Sequence, residues 1–89
     1  MATSNIKNFR KARKIELKRL RSLAEQHVAA AQNDLGVMYR EGLGVAPNCK
    51  EALKWWRLAA VQGYAKAYAN LGTMYLSGQG IPQDWLRIR

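Results

Sequence analysis

The 89-residue chain predicts an all-α fold, a short stack of antiparallel helix pairs. Three observations carry that expectation. "LGVMYREGLG" at Leu35–Gly44 returns as "LGTMYLSGQG" at Leu71–Gly80, 36 residues on, and such a period marks a stacking unit that cannot bury its own apolar face alone. Apolar residues fall at helical spacing, and no alternating β-branched run competes with that reading. Each copy then closes on a Gly-rich turn followed by a good helix-capping residue, Asn48 in the first and Asp84 in the second.

The period divides the chain into three pieces. Residues 1–26 read as a basic N-terminal capping helix, a degenerate half-repeat. Residues 27–62 form a complete helix–turn–helix repeat of 36 residues, and residues 63–89 a second one, truncated after the start of its second helix. The expected architecture is thus about four helices plus a short C-terminal stub.

In the first piece, a long helix is expected over residues 5–26. One period back from the second helix of the repeat, Leu20, Leu23 and Ala24 occupy the places of Trp56, Ala59 and Ala60, while Arg19 replaces Trp55. Ile6 and Phe9 continue the apolar side, and the remaining face is polar, as a terminal unit of a stack needs.

In the repeat itself, Ala31, Leu35, Met38 and Gly42 are spaced i, i+4, i+7, i+11, and Tyr39 widens the stripe. Gly36 interrupts this helix at ~1 kcal/mol relative to Ala, and Gly72 repeats the interruption. Lacking a Cβ, each glycine lets a neighbouring helix approach, with Tyr39 or Tyr75 expected to fill the space beside it. Gly42 and Gly78 are expected to end these helices in the left-handed conformation, with Gly44 and Gly80 in the turns beyond. The second helix alternates small and large residues on one face through Ala52, Trp55, Trp56, Ala59 and Gly63.

In the last piece, the face made by Tyr64, Tyr68, Leu71 and Tyr75 lacks a full second helix, with Trp85, Leu86 and Ile88 left to cover it. Apolar surface left open favours association, so a homodimer through the incomplete C-terminal repeat, or a place in a longer array, is expected.

The motif "AxxxLGxMYxxGxG" at Ala31–Gly44 and Ala67–Gly80, with "ALKWWRLAAVQG" at Ala52–Gly63, resembles the Sel1-like repeats, relatives of the tetratricopeptide repeats. The 36-residue period suits them better than the 34 of tetratricopeptide units. The resemblance implies a right-handed α-solenoid serving as an adaptor for protein complexes, with the first helices lining a concave groove that holds peptide segments. On that basis Asn33, Val37 and Arg40, with the neighbouring stripe Lys66, Asn70 and Thr73, are the expected peptide-binding residues. Amides and cations suit an extended backbone or a carboxylate, although an ordinary solvated face is the competing reading.

No catalytic constellation is present. His27 is the only histidine, at an expected helix end, and Cys49 is the only cysteine, which excludes an intrachain disulfide and points to a reducing compartment. The Gly-x-Gly turns follow helices rather than strands and lack the lysine of a phosphate loop. Neither an enzymatic activity nor a cofactor or metal is expected.

The charge is lopsided, with 15 Lys+Arg against 6 Asp+Glu, and most of the excess lies in residues 1–26. Lys11, Arg13, Lys14 and Lys18 carry an alternative reading, sequence-blind binding to nucleic-acid phosphates, against the plainer role of a soluble cap. A cytoplasmic location is expected, with no transmembrane segment; the basic, acid-free "NIKNFRKARK" leaves mitochondrial targeting as a lesser alternative.

Overall fold

The structure, a computed structural model, describes residues 2–77, with side chains from residue 10 onward. It contains α1 (Ala2–Glu25), α2 (Ala29–Glu41), α3 (Cys49–Val61) and α4 (Ala65–Ser77), and no strand among the described residues. The all-α stack is therefore as expected, and α1 runs three residues further toward the N-terminus than its apolar pattern suggested. The expectations for Gly78, Gly80, Asp84, Trp85, Leu86 and Ile88 lie outside the described residues, as do the side chains of Ile6 and Phe9.

The turns repeat as faithfully as the helices. His27 (φ 67°) and Gly63 (φ 86°), one period apart, both adopt the left-handed conformation just past a helix end. Around them the same bonds recur: Val28 N–H to Leu23 O at 3.1 Å and Tyr64 N–H to Ala59 O at 3.2 Å, with His27 N–H to Ala24 O and Gly63 N–H to Ala60 O inside. These satisfy carbonyls that the ending helix leaves open. Gly63, expected on the packed stripe, is instead this turn residue and is exposed.

After α2, Gly42 (φ 74°) ends the helix with its N–H on Met38 O at 2.8 Å. The loop then folds back, Asn48 N–H donating to Tyr39 O at 2.7 Å, while the Asn48 side chain accepts from Glu51 N–H at 3.1 Å to cap α3. Gly44 lies against the backbone of Arg13, joining this loop to α1.

The core follows the expected stripes: Leu20 and Ala24 of α1, Ala31, Leu35, Met38 and Tyr39 of α2, Ala52, Leu53, Trp55, Trp56, Ala59 and Ala60 of α3, and Ala67 and Met74 of α4. Small residues on α3 let helix axes close up, while Trp56 and Leu35 fill the space between. The most extensive helix contact is between α2 and α3, the two halves of the complete repeat. One buried amide was not foreseen. Gln32 donates to Ala24 O at 3.1 Å and accepts from Gln62 at 2.9 Å, so its burial leaves no polar atom unpaired.

Candidate functional site

The centre of the repeat is built around one indole. Trp56, almost wholly buried, donates its ring N–H to the backbone carbonyl of Asn33 at 3.0 Å. Its five-membered ring lies on Gly36, where a Cβ would stand 2.4 Å from Nε1 and 2.6 Å from Cδ1. The expectation that Tyr39 fills the space beside Gly36 is therefore corrected: the filler comes from the facing helix. Tyr39 instead turns toward α1, where its hydroxyl accepts a hydrogen bond from Arg21 and its ring lies under that guanidinium. Trp55, the residue before Trp56 on α3, has the Lys54 ammonium 4.8 Å from its ring centre.

Gly72 differs from Gly36 in its surroundings. No atom of the described residues lies within 4 Å of a Cβ built there, and the helix expected to approach this glycine, after Asp84, lies outside the described residues. Tyr75, expected to fill beside it, is 40% exposed and accepts a hydrogen bond from Arg57. Tyr68 and Leu76 are exposed on the same helix.

The residues expected to bind a peptide fall into two groups. Asn33 is buried: its side-chain oxygen accepts from Asn70 at 2.9 Å, tying α2 to α4, so both amides serve the scaffold. Arg40 is half-buried and pairs with Glu41 at 3.5 Å. Lys66 and Thr73 are exposed, the Thr73 hydroxyl donating back to Ala69 O at 3.1 Å. Val37 faces a different way, into a groove between α1 and α2.

The cause is that the two stripes are out of register by three residues. Shifted by the period, Lys66, Asn70 and Thr73 correspond to Ala30, Asp34 and Val37, whereas Asn33 and Arg40 correspond to Ala69 and Leu76. Asp34 is thus the position that helical spacing alone missed and the period would have found.

The groove holding Val37 and Asp34 has a volume of about 560 Å³. Leu20, Val37, Met38 and Leu43 give it an apolar floor, and Arg13, Glu16 and Asp34 a charged rim. Arg19 holds Glu16 in a two-pronged bond at 3.0 and 3.2 Å, which lowers the Glu16 carboxyl below its ordinary range through hydrogen bonding and charge. Apolar floor with sparse polar rim is the usual make-up of a site for another molecule's side chains. A second recess, between α1 and the loop at Gly44, collects Lys11, Lys14 and Lys18 around Ile15 and Leu17. With Arg10 and Arg13 these cations are exposed and make no ion pair among the described residues.

His27 is exposed at its turn, and Cys49 is half-buried after the Asn48 cap. Among the described residues no three His, Cys, Asp or Glu side chains come together, and no helix is long and apolar enough to cross a membrane.

The helix pairs, their period and the Trp56–Gly36 contact point to one family. Its model, described as the Sel1 repeat, matches residues 29–64 and again 65–85. The chain belongs to the Sel1 repeat family. A Sel1 repeat protein from Oxalobacter formigenes, known from its crystal structure, is 40% identical over 73% of this chain, with a TM-score of 0.70. The aligned part covers 27% of that protein, so this chain spans a fraction of its length. No curated protein matches the chain. Sel1 repeats generally act as non-catalytic modules for protein–protein interaction.

Proposed function

We propose that this Sel1 repeat chain is a non-enzymatic adaptor that holds a segment of another protein in the groove between α1 and α2. The open groove of about 560 Å³ over Leu20, Val37 and Met38 carries the reading. Leu20 and Met38 reach it from the core, so the floor is held by rigid packing and needs no rearrangement before a ligand enters. The rim supplies both signs of charge for the polar parts of a bound segment. The Asn33–Asn70 bond next to Asp34 joins the groove to α4, where Lys66 and Thr73 extend the polar surface.

A random peptide library selected on the native protein tests this. Enriched peptides should bind Val37→Arg at least tenfold more weakly while the variant keeps its helical content. Peptides that hold both proteins equally would place the binding surface elsewhere.

The exposed cations Lys11, Arg13, Lys14 and Lys18 support a second reading, contact with nucleic-acid phosphates along α1. It expects affinity for mixed-sequence RNA or DNA that falls steeply as salt rises. Absence of binding at low salt would leave the charged face as a solubilising cap.

A further inference from the structure

We propose that the α1–α2 groove takes α4 of a second copy of this chain, so that copies join head to tail. The inference rests on the groove reading above and names its occupant. The argument comes from the repeat itself. The 36-residue shift carries residues 29–41 of α2 onto residues 65–77 of α4, and residues 13–25 of α1 onto residues 49–61 of α3.

At the centre of the chain the full arrangement is present. There α2 packs on α3, with Gly36 under Trp56, and meets α4 through Asn33 and Asn70. One period earlier, the α1–α2 pair is equivalent to α3–α4, and nothing among the described residues stands to it as α2 stands to that pair. The groove opens there, and Asp34, the equivalent of Asn70, is exposed and accepts from its chain neighbour Asn33 at 3.4 Å, where Asn70 bonds across to another helix.

One period later the converse holds. Ala29, Asn33 and Gly36 of α2 are half-buried or buried against their neighbours; their equivalents Ala65, Ala69 and Gly72 on α4 are all exposed. Leu76 beside them is 92% exposed. Among the described residues, one edge has no first helix packed on it and the other presents one.

The chemistry of the two edges agrees. Leu20 stands in the place of Trp56, so it is the residue that would cover the incoming Gly72. Leucine has no N–H to give, and none is needed, because the Ala69 carbonyl equivalent to that of Asn33 already accepts the Thr73 hydroxyl. The incoming helix carries one cation, Lys66, and no acid, and the groove rim presents the Asp34 carboxylate. Because two different surfaces meet, the contact is heterologous and adds copies in series, unlike the closed dimer through C-terminal ends expected above.

Sedimentation of the full chain over a wide concentration range tests this. The weight-average mass should climb past that of a dimer. Gly72→Arg, which points into open space and keeps the helix, should reduce the protein to a monomer, and so should Val37→Arg. Mixed in equal amounts, the two variants each retain one good edge and should form a heterodimer that grows no further. Asp34→Trp replaces Val37→Arg if the latter loses helicity. A native protein that stays monomeric at high concentration, a dimer that survives both groove substitutions, or a mixture that fails to pair would each overturn the proposal. The groove reading is separable: if peptides still distinguish Val37→Arg while the native protein is monomeric, the groove stands and the head-to-tail contact falls.

Discussion

The Trp56 indole and the Cα of Gly36 are in direct contact: a Cβ at Gly36 would stand 2.4 Å from the indole nitrogen, whose proton goes to the Asn33 carbonyl 3.0 Å away. That bond and the surrounding burial hold the ring in place, so it cannot give way to an added methyl group.

Gly36→Ala should therefore destabilise the fold by about 1–3 kcal/mol as overpacking outweighs the ~1 kcal/mol gained in helix propensity. Gly72→Ala has the same local preference and open space around it, so it should stabilise by up to about 1 kcal/mol. Urea unfolding of the two variants decides it. Shifts of equal sign would show that Gly36 and Gly72 have equivalent surroundings.

His27 takes the left-handed conformation that its period-mate Gly63 adopts without strain. A side chain there costs roughly 1–2 kcal/mol. His27→Gly should raise the urea midpoint, and Gly63→Ala should lower it although its Cβ would meet nothing within 4 Å. Since His27 is exposed, no packing is lost in the exchange. A lower midpoint for His27→Gly would mean that the imidazole has a stabilising partner.

Much of this fold is legible in the residue order because the strongest signals are local. Asn48 as a cap, Gly42 at a helix end and the stripe through Ala31, Leu35 and Met38 each depend on a few neighbouring residues. The partner of Gly36 is a different kind of fact. Tyr39 and Trp56 are both large aromatics near enough in the repeat, and only the docking of α3 on α2 chooses between them. The expected binding stripe divides between faces for a related reason. Helical spacing linked Asn33, Val37 and Arg40, but a helix contacting several neighbours has several faces, and spacing does not say which is buried. The period does, since it aligns Val37 with Thr73 and Asp34 with Asn70. That no described residue closes on Gly72 is invisible in the motif, which is the same in both copies.

The Asn33–Asn70 bond is the direct polar link between the two first helices, and Asn33 is 4% exposed. Removing Asn70 leaves the buried Asn33 oxygen without its donor, and removing Asn33 takes the acceptor from the half-buried Asn70 amide. Asn33→Ala and Asn70→Ala should each cost about 1–3 kcal/mol, and the double variant less than their sum, with a coupling of about 1 kcal/mol. A double-mutant cycle by chemical denaturation measures this. Strict additivity would mean that the two amides are independently solvated.

Trp56→Leu, which puts at this place the residue that Leu20 supplies one period earlier, tests the same junction from the other helix. Leucine has no N–H for the Asn33 carbonyl, which removes about 0.5–1.5 kcal/mol of hydrogen bonding, and it gives up Nε1 and Cε2 of the indole, which lie nearest Gly36. A void beside a buried side chain adds to that cost. The loss should be partly repaired by the substitution that harms the native protein. In the Trp56→Leu background the methyl group of Gly36→Ala enters vacated space, so its penalty should shrink or change sign. Thermal unfolding of the native protein, both single variants and the double variant gives the coupling directly. Equal penalties for Gly36→Ala in the two backgrounds would show that something other than the indole confines that glycine.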